Sequence, residues 1–494
     1  MPEEQHYDVL IVGAGNAALS AAMAALERGA RVGILEKAPK NERGGNSTLT
    51  GHMRFAYNSV ADLVPLMHNV TDEEIGIIAD ELPRRTEADL WDELMRVTEN
   101  QSDPDMLQIH VSESYKTVRW LADKGHDWVP TYANRTTGNI VSMNGGGYGL
   151  QERNFSYVER DGGIVHYETS ATELLQDQMG RVIGVRALTP QGFTSIFGKT
   201  LVLACGGFEG NPEMRARYLG PRWDTVKMRG VPFNTGDGLR MALNIGAMPY
   251  GSWSTCHASP QDVDRPFFSL PSSMFTDKRE WHRYMYPYSI MVNTKGERFV
   301  DEADDIRALT YAKMGRAILA QPGGLAFQIM DAKVRRRGLY PPSYETATGE
   351  KAGSLEALAE SLGIDPKGLV QTVREFNAAV PAGEARPNPF VRDFFGTDGL
   401  AIPKSNYAMT IEEPPFEGYA VVCGITFTFG GLKIEPKSGQ VQHVAGRALP
   451  GLYAAGEMVG GLFHGNYASG SGMMAGATWG RIAGTHAAKE ALGQ

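Results

Sequence analysis

The chain has 494 residues, with 48 Lys and Arg against 57 Asp and Glu and a formal charge of -9, and no compact run of basic side chains, which argues against a nucleic-acid partner. Its three cysteines, Cys205, Cys256 and Cys423, are odd in number and widely spaced, which fits neither a disulfide framework nor a zinc or iron–sulfur ligand set. No metal and a reducing, cytoplasmic setting are therefore expected, and with no apolar stretch approaching about 18 residues no transmembrane segment is expected either.

Length alone predicts two domains. The first forty residues read as a βαβ unit: strand at 7–12, a glycine turn, an alanine-rich helix at 16–28 and a second strand at 32–35, an alternation that implies a parallel sheet and an α/β fold. Residues 72–125 are charged and helically periodic, with Asp103 ahead of Pro104 as a helix start. From Gly163 the chain turns to short strands at 165–169, 182–188 and 200–204. Residues 252–416 are richer in Pro and aromatic side chains, with helices at 308–319 and 366–379, and read as an inserted domain. The last block returns to a strand and glycine turn at 451–457 and ends in a helix at 473–492. The expected division is 1–251, 252–416 and 417–494, the outer two segments forming one domain.

The run Val9-Leu10-Ile11-Val12-Gly13-Ala14-Gly15-Asn16-Ala17-Ala18 places the pattern G-x-G-x-x-A between a strand and a helix. Gly13 permits the tight turn, and Gly15 lets backbone approach a pyrophosphate whose charge the helix N-terminus at Asn16 and Ala17 stabilises. Ala18 allows close helix–sheet packing. Glu36 ends the second strand about twenty residues on, placed to accept from a ribose hydroxyl. Two later strand-to-turn segments, 203–208 and 451–457, would abut one long cofactor, and no second fingerprint for a pyridine nucleotide follows. Both points favour FAD over NAD.

Taken together, Glu36-Lys37, Gly44-Gly45-Asn46-Ser47, Ala204-Cys205-Gly206-Gly207-Phe208-Glu209-Gly210-Asn211, Thr235-Gly236-Asp237-Gly238, Gly296-Glu297-Arg298-Phe299-Val300-Asp301-Glu302 and Ala455-Gly456-Glu457 resemble the fumarate reductase/succinate dehydrogenase flavoprotein superfamily. Stretches 311–322, 423–431 and 460–463 look most like its tricarballylate dehydrogenase branch. The resemblance implies a Rossmann-like FAD-binding domain, a parallel sheet flanked by helices and a β-meander, interrupted by an α+β capping domain, with the active site between cap and flavin. It adds Lys37, Gly44, Gly45, Asn46, Ser47, Ala171, Ala204, Gly206, Asn211, Asp237, Gly456 and Glu457 to the FAD-binding residues. Covalent members carry a histidine where this chain has Asn46, so the FAD is expected to be non-covalent. Ser471, Gly472 and Met473 open the last helix, whose amides and dipole would point at the flavin pyrimidine.

The implied chemistry moves a hydride between flavin N5 and a carbon–carbon bond beside a carboxylate or carbonyl, while the protein handles a proton and holds the developing enolate. Arg307 best matches the family's proton-shuttling arginine, with a slip in spacing that leaves Tyr311 as a competitor. A guanidinium is also a poor acid on first principles. His257 matches the substrate-binding histidine; read without the resemblance it would pass for a packed histidine. His464 and Tyr467 lie between the last glycine turn and the final helix. His282, Arg283 and Tyr286 lie where fumarate reductases deliver protons. Tyr467 stands where those enzymes have a clamp arginine and Phe427 where they have a substrate histidine, so two dicarboxylate contacts are missing, and the aromatic replacements suggest a less polar or bulkier substrate.

The expected substrate is a small carboxylate or ketone. A cyclic-ketone or steroid-type desaturase or enone reductase is the alternative enzyme, and an electron-transfer or binding flavoprotein the alternative of another class. The electron acceptor must be separate: oxygen, a quinone or, as in the tricarballylate branch, an iron–sulfur partner protein.

Overall fold

The apolar run that opens the chain is buried on both faces, as a central parallel strand must be: Val9, Leu10 and Ile11 are inaccessible to solvent. In the computed structural model, which describes residues 5–81, 85–131, 141–277 and 279–494, this run is β1 (Gln5–Val12). It lies parallel to and between β2 (Val32–Leu35) and β8 (Gly192–Leu203), with Val12 opposite Leu35 on one side and Leu203 on the other. β5 (Ile164–His166) extends the sheet beyond β2, and β16 (Ala448–Ala454) extends it beyond β8, both parallel; β15 (Gln440–Gln442) closes the second edge antiparallel. β6 (Ser170–Gln176) and β7 (Val182–Thr189) form an antiparallel meander on β8. β3 (Trp128–Pro130) and β4 (Val141–Met143) pair separately.

The first helix, Asn16–Leu26, packs against the last, Ser471–Leu492, through small residues. A Cβ on Gly480 would lie 2.4 Å from the Ala17 carbonyl oxygen, and one on Gly484 2.2 Å from that of Ala21. The alanine-rich sequence of the first helix and the glycines of the last thus bring two backbones together, fixing where both helices start.

The second sheet is mostly antiparallel and is built around β14 (Phe416–Leu432), with β10 (Pro249–Asp262), β12 (Leu325–Met330), β11 (Ile290–Val292), β13 (Gly349–Ala352) and β9 (Lys227–Met228). Its strands β11, β12 and β13 and most of β10 come from the composition-defined insert at 252–416; β9, the first residues of β10 and the body of β14 lie beyond those limits. Ile425 pairs with Ala258 of β10 on one side and with Met228 of β9 on the other. The ladder to β10 shifts register between Gly251 and Cys256 and again between His257 and Ala258. Bulges of this kind re-aim side chains next to functional sites.

The elements read from the sequence are in place. The helix predicted at 104 onward runs Pro104–Asp123, capped by the Asp103 carboxylate, which accepts from the amides of Asp105 and Met106. The strand predicted at 165–169 is shorter, because Glu168 takes a positive φ of 50° and ends it. The last helix begins two residues early, at Ser471, from Gly470 at φ 87°. Among the described residues no helix is long and apolar enough to cross a membrane.

Candidate functional site

A cavity of about 610 Å³ runs from the end of β1 to the face of β14. At its first end the chain turns at Gly13, φ 101°, where a Cβ would sit 2.5 Å from the Ala204 carbonyl oxygen, so only glycine fits. Gly15, at the N-cap of the first helix, has no side chain to cap it, and Gly15, Asn16 and Ala17 line the cavity. The Asn16 amide donates to Ser47 Oγ at 3.1 Å and its Nδ2 to the Met473 carbonyl at 2.8 Å, leaving a buried Oδ1 with no partner. An uncapped helix start beside an orphaned polar atom is suited to an anionic ligand with hydroxyl groups.

Glu36 closes β2 and accepts from the Ala38 amide at 2.7 Å. Burial raises its pKa to about 6, against the opposing pull of the Ala38 and Ala14 amides and of Lys37. Lys37 and Asp237 pair at 2.7 Å on the same wall. Asn46 is fixed by three bonds: its Nδ2 donates to Glu209 Oε1 at 2.8 Å and to the Thr426 carbonyl at 3.0 Å, and its Oδ1 accepts from the Val231 amide at 2.8 Å. Glycines keep the middle of the cavity open. A Cβ on Gly456 would meet Ala17 Cβ at 2.8 Å, and one on Gly472 would meet the Tyr467 hydroxyl at 3.0 Å and the Phe427 ring at 3.2 Å. The family's FAD fits this cradle, with Gly13, Gly15, Asn16, Ala17, Glu36, Gly456 and Gly472 as the residues that would hold it.

The other end is aromatic and cationic. The buried imidazole of His257 stacks on Tyr467 at 4.9 Å and meets Tyr311 edge-on at 4.7 Å. Among the described residues its Nε2 has no partner. Burial, and then the charge of Arg229, hold His257 neutral, well below the usual histidine range. The Tyr467 hydroxyl accepts from the Gly472 amide at 2.8 Å; burial nevertheless pushes its pKa up to about 12. Burial also pushes Tyr311 upward. The Arg307 guanidinium lies over Tyr284 at 5.3 Å and over Tyr311 at 5.6 Å. His52 joins Ser469 Oγ at 2.7 Å; burial, then the charges of Arg307 and Arg54, hold it neutral, with a pKa near 3. Arg54 pairs with Glu93 at 2.7 Å and reaches the Ser469 carbonyl at 3.3 Å, which pins the turn before the last helix.

Of the residues singled out from sequence, Arg307, Tyr311, His257 and Tyr467 line the cavity together, as do Gly13, Gly15, Asn16, Ala17, Glu36, Lys37, Gly45, Asn46, Ser47, Ala171, Ala204, Gly206, Asp237, Gly456, Glu457, Gly472 and Met473. Six do not line it. Arg283 is locked in a buried pair with Asp262, 2.7 Å away. His464 is half-buried in the loop ahead of Tyr467. Asn211 caps the helix Pro212–Leu219, accepting from the Met214 amide at 3.2 Å. Gly44 makes the turn, at φ 94°. Ala18 is fully buried in the hydrophobic core, and Ser471 is buried in the first turn of the last helix. Tyr286 bonds Thr310 Oγ1 at 2.7 Å, away from the cavity, whereas its neighbour His282 lines it.

Sequence reasoning missed Arg229, Arg265, His52 and Tyr284, all of which line the cavity. None belongs to a spaced motif. Arg229 enters because β9 pairs with β14 and its own amide continues the ladder to the Ile425 carbonyl at 2.7 Å, a long-range pairing with no local signal.

Comparison with known proteins agrees with this geometry. The family model described as FAD binding domain matches residues 8–473. Fumarate reductase (cytochrome) from Shewanella frigidimarina is 29% identical, in an alignment covering 98% of this chain and 77% of that protein. NADH:acrylate oxidoreductase from Vibrio harveyi is 27% identical, covering 98% of this chain and 50% of that one. Among solved structures, the open conformation of a flavocytochrome c3 fumarate reductase matches with a TM-score of 0.72 at 25% identity, covering 99% of this chain and 79% of that one.

Proposed function

The chain belongs to the FAD binding domain family, within the fumarate reductase/succinate dehydrogenase flavoprotein superfamily, and is an FAD-dependent oxidoreductase; we propose that it adds or removes hydrogen across a carbon–carbon bond next to a carboxylate or carbonyl. The observation that carries this is the single cavity that joins an uncapped nucleotide-type helix start to the cluster of His257, Tyr311, Tyr467 and Arg307. Relatives acting on fumarate and acrylate support an alkene conjugated to a carboxylate.

FAD, held without a covalent bond because Asn46 offers no nucleophilic ring nitrogen, supplies the hydride chemistry. The protein supplies the rest. His257, kept neutral, donates a hydrogen bond from Nε2–H to a carbonyl or carboxylate oxygen of the substrate. Arg307 or Tyr311 passes the proton to or from the second carbon, and the rings of Tyr284, Phe427 and Tyr467 keep water from the reacting carbons. In the reductive direction the alkene gains a hydride and a proton, and the two electrons come from a separate donor, a quinol or a reduced iron–sulfur protein; in the oxidative direction they leave to a quinone, an iron–sulfur protein or oxygen. The segment 252–416 with its flanking strands serves as the cap over an FAD domain made of 1–251 and 417–494. The stretches at 311–322, 423–431 and 460–463 favour a tricarballylate dehydrogenase-like specificity, whereas the rings of Phe427, Tyr467 and Tyr311 favour a carboxylate with a less polar body.

The test is anaerobic. Purified protein, loaded with FAD and reduced by dithionite, is mixed with unsaturated carboxylates and with cyclic enones, and the oxidised protein is mixed with tricarballylate and an artificial acceptor. Return of oxidised-flavin absorbance with an alkene supports the reading, and a preference for cyclic enones moves it to the ketone class. Reoxidation by a partner protein but by no alkene makes the chain an electron carrier. Release of FAD by acid precipitation checks that it is not covalent.

A further inference from the structure

The cavity end that takes substrate holds two arginines that the fold does not neutralise. Arg229 leaves β9 beside Thr426, to whose hydroxyl its Nη1 donates at 3.4 Å. Arg265 is 7% exposed and donates to Gln261 Oε1 at 3.1 Å and Ser269 Oγ at 2.6 Å, while its buried Nε has no partner. Among the described residues neither makes an ion pair. Of the nearby carboxylates, Asp262 is committed to Arg283 and Asp277 to Arg279, and Glu280, 3.4 Å from a His282 that burial keeps neutral, makes no ion pair with either arginine among the described residues. The two guanidinium groups repel each other, and together with burial the charge of Arg229 lowers the pKa of Arg265 to about 10. Holding two like charges at one cleft, that of Arg265 buried and that of Arg229 partly so, is costly without a counter-ion unless a ligand brings the anion.

The position of Arg229 is set by the sheet. Ile425 is flanked by Met228 and Ala258, so Arg229, Phe427 and His257 come from three adjacent strands at neighbouring levels. A group held at Arg229 is therefore close to His257, whose buried Nε2 also has no partner. Beside these polar groups stand the rings of Phe427, Tyr467 and Tyr311. A cation fork at the edge of an aromatic slot matches a carboxylate attached to an apolar body.

We propose that Arg229, with Arg265 as a positioning residue behind it, is the carboxylate-binding subsite of this cleft, and that the substrate is an unsaturated carboxylate with an apolar body. This rests on the alkene oxidoreductase reading above. It relocates the carboxylate contact from the position of Tyr467, which has no charge to offer, to the residue that follows β9.

The experiment titrates FAD-loaded protein with cinnamate and with methyl cinnamate, its neutral ester, and follows the perturbation of the flavin absorbance without turnover. The expected result is a clear preference for cinnamate in the unaltered protein. In Arg229→Met the affinity for cinnamate falls by about 30-fold or more and the preference over the ester collapses, as for loss of one partner of a desolvated charge pair. Arg229→Lys falls between, because it keeps the charge and loses the fork. Flavin content and melting temperature show that each variant is folded; should Arg229→Met not fold, the ester comparison and Arg229→Lys still decide. Equal binding of acid and ester by the unaltered protein, or unchanged cinnamate affinity in Arg229→Met, overturns the subsite. Reoxidation of the reduced protein by benzylideneacetone, a neutral enone, but not by cinnamate overturns the subsite and leaves the alkene chemistry standing. Arg229-dependent binding of cinnamate without reoxidation by any alkene upholds the subsite and overturns the chemistry.

Discussion

The His257 imidazole lies on the Tyr467 ring with centroids 4.9 Å apart and planes 15° from parallel, and the hydroxyl of that tyrosine accepts the Gly472 amide from the start of the last helix. The histidine is thereby oriented by the same turn that lines the cofactor end, so its free Nε2 has a fixed position relative to bound FAD. His257→Phe keeps an aromatic ring against Tyr467 and removes both ring nitrogens, Nε2 among them. It is expected to lower kcat/KM by about 10- to 100-fold, the effect of losing one buried hydrogen bond to substrate, with FAD content unchanged. Because burial holds the ring neutral, the unaltered enzyme should show no histidine limb near pH 6.5 assignable to this residue. A limb that disappears in His257→Phe would contradict that.

Arg307 and Tyr311 share one wall, with the guanidinium 5.6 Å from the phenol ring centroid. Burial pushes the phenol away from ionisation, which makes it a reluctant proton donor, whereas Arg307 adds positive charge where an enolate would develop. Arg307→Lys is expected to cost about 100-fold or more in kcat, and Tyr311→Phe about tenfold or less. Single-turnover rates with a solvent isotope effect check the order. A larger loss and a vanished isotope effect in Tyr311→Phe would give the proton to the tyrosine.

What the sequence disclosed and what it hid divide along physical lines. The strand–turn–helix at Val12 to Ala18, the cap at Asp103 and the helix Pro366–Ala379 depend on contacts within a few residues, and the structure has them as read. The family resemblance was carried by spaced glycine turns, and these converge on one cavity. Arg283 stands where the resemblance places proton delivery, yet Asp262, twenty-one residues away, claims it. Arg229 and Arg265 carry no local signal at all: one is placed by pairing between β9 and β14, nearly two hundred residues apart, and the other is defined by the absence of a carboxylate partner, which no pattern of residues reveals.

Glu36 gives a pH signature with a definite sign. Its carboxyl in the cofactor-free fold titrates near 6, above its ordinary value of 4.5. The stability it contributes is therefore fully present below pH 4.5 and lost as pH rises through about 6, a change of about 2 kcal/mol. Ribose hydroxyls donating to the carboxylate would favour its ionised form, so FAD binding releases a proton there. Affinity for FAD should then rise with pH by up to about tenfold per unit below pH 6 and level off above it. Fluorescence titration of the apoprotein between pH 5 and 8 measures this, and Glu36→Gln should flatten the dependence. A flat profile in the unaltered protein would remove Glu36 from the ribose.

The contact between the first and last helices ties stability to the cofactor end in a way that two glycines separate. An alanine at Gly484 would drive its Cβ to 2.2 Å from the Ala21 carbonyl oxygen, and one at Gly480 to 2.4 Å from that of Ala17. Backbone cannot swing aside as a side chain can, so the helices must part, at about 1–3 kcal/mol; the gain of about 1 kcal/mol in helix propensity offsets only part of this. Both substitutions should lower the melting temperature. They should differ in their effect on FAD, since Ala17 lines the cavity and Ala21 does not: Gly480→Ala is expected to weaken FAD binding, and Gly484→Ala to leave it closer to that of the unaltered protein. Gly76→Ala, in the helix Asp72–Glu81 with nothing within 4 Å of the added carbon, is the control and should be neutral or stabilising. If Gly480→Ala melted lower yet held FAD as tightly as before, the start of the first helix would not depend on this packing for its position.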